Sequence, residues 1–285
     1  MMNGTIIVAE SGADISSNIA STYGIHIIPM HISMNGESFD DGSDFPVQHI
    51  FEYHKQTGKV PTTSATNPEE YNVLFKQLHH KYPDKQILHL CYSAVTTATW
   101  QNAHIGSEGM DYVRHVDTKN VSGGQAVIVL RVAQYLKEHP LAPMNELVNE
   151  AEKWIKRIRF GFFSGDLDYL RAGGRVSNAI YIGAALLSIK PLIELVEGKL
   201  VATKKYRGPM KKVCKKLISD FTDRYDLDKE SLFLLFSEGL PQEIKQEVEQ
   251  IAKELEYLNI VWIKAGGVIS THGGPSAFGM IGIER

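Results

Sequence analysis

Residues 86–137 read QILHLCYSAVTTATWQNAHIGSEGMDYVRHVDTKNVSGGQAVIVLRVAQYLK, and this stretch decides the predicted fold. Residues 86–92 and 112–117 are short apolar runs of strand length. Residues 96–106 and 125–137 have the length and the apolar spacing of helices. Strands that alternate with helices in this way form a parallel sheet with right-handed crossovers, so we predict an α/β domain.

The same alternation continues towards the N-terminus. Further elements are predicted over residues 5–9 (strand), 16–23 (helix) and 25–33 (strand). The Asn35-Gly36 pair that follows is typical of a tight turn. Asn67 can cap a helix and Pro68 fits its first turn, so another helix is expected to begin there.

The pattern changes after residue 158. An amphipathic segment over residues 144–158 closes the first domain, and strands and helices then alternate less regularly. The predicted elements are strands at 159–164, 191–201 (with a hairpin turn at Glu197-Gly198), 232–237, 260–264 and 279–283, and helices at 208–225 and 241–258. We therefore predict a two-domain α/β protein, with a parallel-sheet domain over 1–158 and a mixed-sheet domain over 159–285.

The composition is that of an ordinary globular protein. Its 285 residues carry 30 Lys+Arg against 33 Asp+Glu, and 43% of them are hydrophobic, which excludes a disordered chain. The near-neutral charge gives no general attraction to nucleic acid or to an anionic membrane. The most apolar stretch, residues 180–196, is interrupted by Lys190 and Pro191, and the N-terminus has no signal-peptide pattern. We expect a cytoplasmic protein without stable membrane insertion.

Motifs for common cofactors and catalytic machinery are absent from the sequence. It has no GxGxxG, P-loop, HExxH or GxSxG pattern. Cys91 and Cys214 lie far apart without a CxxC spacing, so neither a disulfide framework nor a cysteine-based zinc site is expected. The adjacent His79 and His80 point in different directions on a helix. We predict no metal, no cofactor and no catalytic residue.

Polar residues follow several predicted strands, where the ligand crevice of an open α/β sheet lies. They are Ser11, Asp14, Ser93, Asp117 and Ser122. Helix capping is an alternative role for each. Residues 60–68 (VPTTSATNP) offer four hydroxyl groups, and residues 93–99 (SAVTTAT) lead into a helix whose first amides could hold an anion. Turn formation alone would also explain such loops.

Three stretches of the second domain have candidate binding residues. Residues 271–279 (THGGPSAFG) surround His272 with small residues, and Arg175 follows a glycine pair that is typical of a helix connector. The basic run 204–216 is interpreted as a solvated helix face, with a docking patch for an acidic partner as the alternative. Hydroxyl groups and an imidazolium suit an anionic oxygen, so the residues predict an anion or carboxylate binder.

The chain resembles the DegV family of bacterial fatty acid-binding proteins over its whole length. The longest matching stretches are LDYLRAGGRVS (167–177), LLSIKPLIELVEGKL (186–200) and VISTHGGPSAFG (268–279), and shorter matches are ESGAD (10–14), Thr63-Ser64 and Ser93 with TWQNA (99–103). The resemblance implies two α/β domains with the ligand head group between them. It also implies a protein that binds one long-chain fatty acid and presents its carboxylate to the ATP-binding subunit of a fatty acid kinase, which makes an acyl phosphate for phospholipid synthesis.

The resemblance also assigns residues. It places the carboxylate on Thr63, Ser64, Ser93 and His272, with further head-group loop positions at Ser11, Thr97, Gly273 and Gly274. Arg175 and Arg207 match arginines of the second domain and would dock the kinase. The family pattern has Asp where Glu10 stands and Gly where Ala98 and Ser276 stand, which bears on ligand choice rather than on ligand class.

An acyl chain needs an apolar enclosure. About fifteen methylenes at roughly 0.8 kcal/mol each give ~12 kcal/mol on burial. Phe160, Phe162 and Phe163, with residues 180–195, are apolar enough to line a tunnel, and core packing is the alternative. A different function also stays open, because the family fold is similar to the substrate-binding part of dihydroxyacetone kinases, where a loop histidine engages a small ketone.

Overall fold

The computed structural model describes residues 4–42, 44–176 and 189–285. The chain folds as two units. The first unit comprises Met1–Phe45 and Thr63–Lys156, and the second comprises Pro46–Thr62 and Arg157–Arg285. The short segment from Pro46 to Thr62 thus belongs with the C-terminal half. The domains predicted from the sequence, 1–158 and 159–285, stay a prediction.

Strands and helices alternate through most of the described residues. In chain order they are β1 (Thr5–Glu10), α1 (Ser17–Tyr23), β2 (Ile25–Ile28), β3 (His31–Met34), β4 (Glu37–Asp40), α2 (Gln48–Thr57), β5 (Thr62–Ser64), α3 (Pro68–Lys81), β6 (Gln86–Cys91), α4 (Thr99–Gly106), β7 (Val113–Asp117), α5 (Ser122–Glu138), α6 (Met144–Arg157), β8 (Ile158–Phe163), α7 (Leu167–Gly173), β9 (Ile189–Val196), β10 (Lys199–Arg207), α8 (Met210–Arg224), β11 (Ser231–Phe236), α9 (Gln242–Glu254), β12 (Asn259–Lys264), α10 (Gly267–Gly273) and β13 (Phe278–Ile283).

The first unit is built on a parallel sheet in the order β2-β1-β6-β7. The predicted parallel-sheet architecture is therefore confirmed. Helix α3 begins as expected: Asn67 accepts a hydrogen bond from the Glu70 amide, and the Glu70 carboxylate accepts one from the Asn67 amide. The buried side chains of Tyr71, Phe75 and Leu78 on this helix pack against the sheet.

The single strand predicted over residues 25–33 is wrong. The structure has two strands there, β2 and β3, with Pro29 and Met30 between them. The Met30 amide donates to Ser11 Oγ (3.0 Å) and its carbonyl accepts from the Asp41 amide (2.8 Å), so the chain leaves the parallel sheet at this point. Strand β3 then pairs antiparallel with β4 across the predicted Asn35-Gly36 turn.

The second unit contains a mixed sheet in the order β10-β9-β8-β13-β11-β12, as predicted. Strands β11 and β12 are parallel, and the other neighbours are antiparallel. The hairpin turn between β9 and β10 lies at Glu197-Gly198, as predicted. One face of the sheet is covered by α8 and α9, whose buried residues include Leu217, Phe221 and Val248.

The basic run is divided between two elements rather than lying on one helix face. Lys204, Lys205 and Arg207 are on β10, and the remaining lysines are on α8. Lys211 contacts Glu243 at 2.6 Å and Glu247 at 2.7 Å, so the run is partly neutralised by the acidic helix α9. The described residues contain no helix long and apolar enough to cross a membrane.

Candidate functional site

The loops that follow β1, β6 and β7 lie together at one edge of the parallel sheet. The Ser93 amide donates to the Asn120 carbonyl (3.0 Å), and the Ala94 amide donates to Asp117 Oδ1 (3.2 Å). The Ser122 hydroxyl donates to the Asp14 carboxylate. The polar residues predicted after these strands therefore meet, as expected for the carboxyl edge of a parallel sheet.

Asp14 and Ser122 are among the residues of this edge whose backbone conformation side chains disfavour. Asp14 has φ 57° and Ser122 has φ 49°, both in the left-handed region. Each such residue costs about 1–2 kcal/mol relative to a right-handed conformation. Their mutual hydrogen bond helps to hold both loops in place, and strain of this kind is frequent at binding sites.

Ser11 has a clear structural role at the same edge. Its hydroxyl donates to Asp41 Oδ2 (2.9 Å) and accepts from the Met30 amide (3.0 Å). The hydroxyl proton is therefore already used, which leaves only an acceptor lone pair for a ligand. The predicted position of Ser11 in a head-group loop stays a prediction.

The hydroxyl groups of the Thr-Ser motif and of the loop after β6 differ in exposure. Ser93 is fully buried, Thr63 and Thr97 are partly buried, and Ser64 is exposed. Ser93 also anchors its own loop, since its carbonyl accepts from the Thr96 amide (3.1 Å) and hydroxyl (2.9 Å).

Thr99 is a polar residue of this region that sequence reasoning did not single out. Its side chain is 0% exposed, and its Oγ1 atom has no hydrogen-bond partner among the residues that the structure describes. Thr99 is the first residue of α4, directly after the loop of Ser93 and Thr97. Buried hydroxyl groups nearly always have a partner, so this atom is a candidate ligand contact. The signal in the sequence was the Thr97-Ala98-Thr99 run itself.

His272 lies in the last turn of α10 and not in an irregular loop, which corrects the loop expected for residues 271–279. Gly173, at the end of α7, packs directly against its ring. Arg175 donates to the Gly173 carbonyl at 2.7 Å. Burial lowers the pKa of His272 to about 4, and the Arg175 charge adds to this effect. At neutral pH the ring is uncharged, so the predicted imidazolium is wrong, and a neutral imidazole offers one N–H donor.

The glycines after His272 are fixed by hydrogen bonds to their carbonyls. The Gly273 carbonyl accepts from the Ser164 hydroxyl (2.8 Å) and the Gly165 amide (2.9 Å). The Gly274 carbonyl accepts from the Ser237 hydroxyl (2.6 Å). These bonds make the turn after α10 a rigid support for the imidazole.

The three phenylalanines of β8 do not share one face of the sheet. Phe163 belongs to the core under α8 and stands edge-on to Tyr206, with ring centroids 5.1 Å apart. Phe160 and Phe162 lie on the opposite face, 5.6 Å apart between ring centroids. Ile281 of β13 pairs with Phe160 across the strands and is fully buried. Of the predicted tunnel stretch 180–195, residues 180–188 lie outside the described residues. Residues 189–195 lie on β9, where Leu192 is fully buried in the core under α8.

The two arginines expected to dock a partner are both exposed. Arg207 is the last residue of β10, and Arg175 follows the glycine pair after α7. Their predicted role stays a prediction.

A family profile described as "Uncharacterised protein, DegV family" matches residues 5–285. The chain belongs to the DegV family. Among curated DegV relatives, a DegV domain-containing protein of Caldanaerobacter subterraneus subsp. tengcongensis is 28% identical over 284 residues, and one of Clostridium acetobutylicum is 27% identical over 285 residues. Each alignment covers 98% of this chain and 98% of the relative.

Solved DegV structures share this fold. A DegV family protein from Thermus thermophilus, described as fatty acid binding, superimposes with a TM-score of 0.87 at 23% identity, covering 99% of this chain and 100% of that one. DegV from Bacillus subtilis, described as a fatty acid binding protein, gives 0.83 at 21% with the same coverage. A DegV family protein from Eubacterium eligens, loaded with heptadecanoic acid, gives 0.82 at 20%, again with the same coverage.

The departures from the DegV pattern have different structural consequences. Ser276 has φ 63°, a left-handed conformation that glycine adopts without strain. Ala98 has φ −78°, which any residue accepts, so glycine is not required there. Glu10 is fully buried and accepts hydrogen bonds from four donors, Tyr71 Oη, His89 Nε2, the Tyr92 amide and Gln125 Nε2.

Proposed function

We propose that this DegV protein binds one long-chain fatty acid and presents its carboxylate to a separate ATP-binding kinase subunit, with no catalysis of its own. The observation that carries the proposal is the family match over residues 5–285. It is supported by DegV structures of the same fold that are described as fatty acid binding, with TM-scores of 0.87 and 0.83.

In the first unit, the proposal assigns the carboxylate to hydroxyl donors. Thr63, Ser64 and Ser93 are the residues that the family pattern indicates, and Thr97 belongs to the same group. We add Thr99, whose buried Oγ1 has no partner among the described residues. Hydrogen bonds to a charged oxygen contribute about 1.5–3 kcal/mol each, so two or three such hydroxyl groups supply a specific anion site without a formal positive charge.

In the second unit, the proposal assigns His272 as a neutral donor. Gly273 and Gly274 complete its supporting turn through carbonyls that Ser164, Gly165 and Ser237 hold. A neutral imidazole next to an anion donates one hydrogen bond and keeps its second nitrogen unprotonated. This arrangement selects an anionic oxygen by geometry, with little dependence on pH above about 5.

For the acyl chain, the proposal assigns the sheet face that carries Phe160 and Phe162. This face is the one opposite α8 and α9, and Ile281 extends it into β13. Burying an acyl chain of about fifteen methylenes there supplies ~12 kcal/mol, which favours a tightly held lipid. Phe163 is excluded from this role because it packs in the core on the other face.

The test is to identify the lipid that the protein carries. We expect mass spectrometry of denatured protein to find about one long-chain fatty acid per chain, and far less in Ser93→Ala and His272→Ala. Each substitution removes one head-group donor, so affinity should fall roughly tenfold or more. Thr57→Ala is the matched control, because this exposed hydroxyl donates to the Tyr53 carbonyl within α2. Wild-type protein without fatty acid would contradict the proposal.

The presentation step needs its own assay. We expect acyl phosphate to form when the loaded protein is mixed with ATP and an ATP-binding fatty acid kinase subunit, and not when either protein is left out. Phosphorylation of dihydroxyacetone by this chain alone with ATP would instead favour a carbonyl kinase.

A further inference from the structure

His89, Cys91 and His115 form a cluster on two neighbouring strands of the first unit. His89 and Cys91 are two residues apart on β6, so their side chains leave the strand on the same face. His115 lies on β7 directly opposite His89 in the parallel register. No metal is predicted from the sequence, because these three residues lack a metal-binding spacing along the chain and come together only across neighbouring strands.

The donor atoms of the three side chains converge. The Nδ1 atoms of His89 and His115 are 3.0 Å apart, and Cys91 Sγ lies 3.2 Å from His89 Nδ1. All three donor atoms lie within 4.8 Å of one another. Around a tetrahedral zinc ion, bonds of about 2.0 Å to nitrogen and 2.3 Å to sulfur place the donors about 3.3–3.6 Å apart. The two Nδ1 atoms need to move apart by only a few tenths of an ångström to fit this geometry. The widest separation among the three donor atoms, up to 4.8 Å, requires a larger rotation of one side chain.

The outer hydrogen bonds hold the two imidazole rings with one nitrogen outward and Nδ1 towards the cluster. His89 Nε2 donates to the Glu10 carboxylate at 3.1 Å, so Nδ1 is the nitrogen of this ring that faces the cluster. His115 Nε2 lies 2.9 Å from the Ser107 hydroxyl, which also lies 3.3 Å from the His104 carbonyl. When Nδ1 of His115 binds an ion, Nε2 carries the proton and donates to this hydroxyl. With Nε2 as the protonated nitrogen of each ring, both Nδ1 lone pairs are directed to the space between the rings, where an ion would bind.

We propose that His89, Cys91 and His115 bind one Zn²⁺ ion. Imidazole and thiolate are donors that zinc prefers, and three protein donors leave the fourth tetrahedral position to water. Glu10 acts as the carboxylate that orients His89, and Ser107 does the same for His115. On binding, the zinc–sulfur bond replaces the S–H bond of Cys91, and the thiol proton passes to solvent.

The ion has a route to this site. His115 is partly exposed and forms part of the wall of an open cleft of about 710 Å³ in the first unit, together with Trp100, His104 and Ser107. The His104 ring lies over His115, with centroids 4.4 Å apart. His89 and Cys91 are buried behind it. Zinc therefore reaches the buried donors by way of His115.

The experiment is a metal titration of the whole chain, stripped with a chelator and kept reduced without oxygen. We expect one equivalent of Zn²⁺ to bind in competition with a chromophoric chelator. Co²⁺, used as a spectroscopic probe, should give a near-ultraviolet thiolate charge-transfer band. Cys91→Ala should abolish that band, and His115→Ala should weaken zinc binding at least about tenfold.

Matched variants separate coordination from folding. Cys214→Ala removes the other buried cysteine and His139→Ala removes an exposed histidine, and both should bind zinc like the wild type. Ser107→Ala keeps all three donors but removes the acceptor for His115 Nε2, and we expect about tenfold weaker binding. The proposal is overturned by wild-type protein that binds no stoichiometric zinc, that binds Cu⁺ alone, or that binds zinc no better than folded Ser107→Ala and His115→Ala.

Discussion

A Cβ atom on Gly173 would lie 2.4 Å from Nδ1 of His272, so the end of helix α7 determines where the imidazole of α10 can lie. This separation is far below a van der Waals contact. The glycine of the connector that precedes Arg175 is therefore explained by the side chain of a residue in another helix. His272 and Gly173 therefore constrain each other's positions.

The first prediction concerns Gly173→Ala. Gly173 has a helical backbone that alanine also adopts, so the added methyl group acts through its contact with His272. We expect the free energy of unfolding to fall by about 1–3 kcal/mol, measured by urea denaturation, and fatty acid binding to weaken. In a His272→Ala background this loss should largely disappear.

Gly174→Ala is the control for that pair. Gly174 has φ 61° and nothing within 4 Å of a built Cβ, so alanine there adds backbone strain of about 1–2 kcal/mol without touching His272. Its effect should be the same in both backgrounds. Equal losses for Gly173→Ala with and without His272 would contradict the contact.

The second prediction is a pH dependence that His272 causes. Its pKa is about 4 in the folded protein and about 6.5 in the unfolded chain, so between these values the unfolded state binds more protons. The stability that the neutral ring provides is complete above pH 6.5 and is lost as the pH falls towards 4. Between pH 7 and pH 5 the wild type should lose about 2 kcal/mol more than His272→Asn, measured by denaturant titration. Parallel curves for the two proteins would refute it.

The third prediction is that Ser276→Gly stabilises the protein. Ser276 has φ 63°, and relief of about 1–2 kcal/mol of left-handed strain exceeds the added chain entropy of glycine, about 0.5–1 kcal/mol. The free energy of unfolding should therefore rise by about 0.5–1 kcal/mol, which is measured as a higher urea midpoint. Ser38→Gly, on strand β4, should lower it instead. A lower midpoint for Ser276→Gly would show that the hydroxyl contributes more than the strain.

The fourth prediction is that Thr99→Val separates binding from stability. The substitution removes a buried hydroxyl without a partner among the described residues, so the lipid-free protein should become no less stable. Fatty acid affinity should fall about tenfold if Thr99 contacts the carboxylate. Thr66→Val is the control with the opposite expectation. Thr66 Oγ1 donates to the Pro29 carbonyl at 2.6 Å, so valine leaves that carbonyl without this donor and the free energy of unfolding should fall. Unchanged lipid affinity in Thr99→Val removes Thr99 from the site.

The fifth prediction concerns the kinase partner. Arg207→Glu reverses an exposed charge at the end of β10 and should reduce kinase-coupled acyl phosphate formation about fivefold, with the reduction growing at low salt. The amount of co-purified lipid should not change. Lys253→Glu, an exposed charge at the end of α9, is the control and should leave coupling unaltered. Loss of lipid in Arg207→Glu would assign this arginine a structural role.

The sequence predicts those parts of the fold that local pattern determines. The parallel sheet, the Asn67 cap and the β9–β10 hairpin follow from hydrophobic period, capping and turn residues. Helix α2 was missed although Pro46 precedes it and Gly58, with φ 69°, ends it. Helix α10 was missed because its two glycines lower helix propensity, and tertiary contacts override that preference.

For the candidate site, the sequence indicates the kinds of residue, hydroxyl groups and an imidazole. It does not indicate which atoms these residues contact. Strand alternation alone separates Phe163 from Phe160 and Phe162, so that error was avoidable. The break at Met30 depends on a hydrogen bond to Ser11, and the neutral state of His272 depends on burial in the folded chain. The register that pairs His89 with His115 is likewise invisible along the chain. Such relationships need the three-dimensional structure.

Helix α2 belongs to a unit whose other residues are mostly Arg157–Arg285, which are synthesised much later, so it cannot pack in its native position early in translation. Its Ile50 is fully buried and its Phe51 ring stands edge-on to Tyr169, at 6.0 Å between centroids, yet the whole of the first unit's sheet is synthesised before Tyr169 leaves the ribosome. Until then this helix has no partner in its own unit and carries unprotected apolar side chains. During translation the apolar side chains of α2 therefore stay exposed until the C-terminal half has been synthesised. In a protein truncated near residue 158 they stay exposed permanently, which favours aggregation.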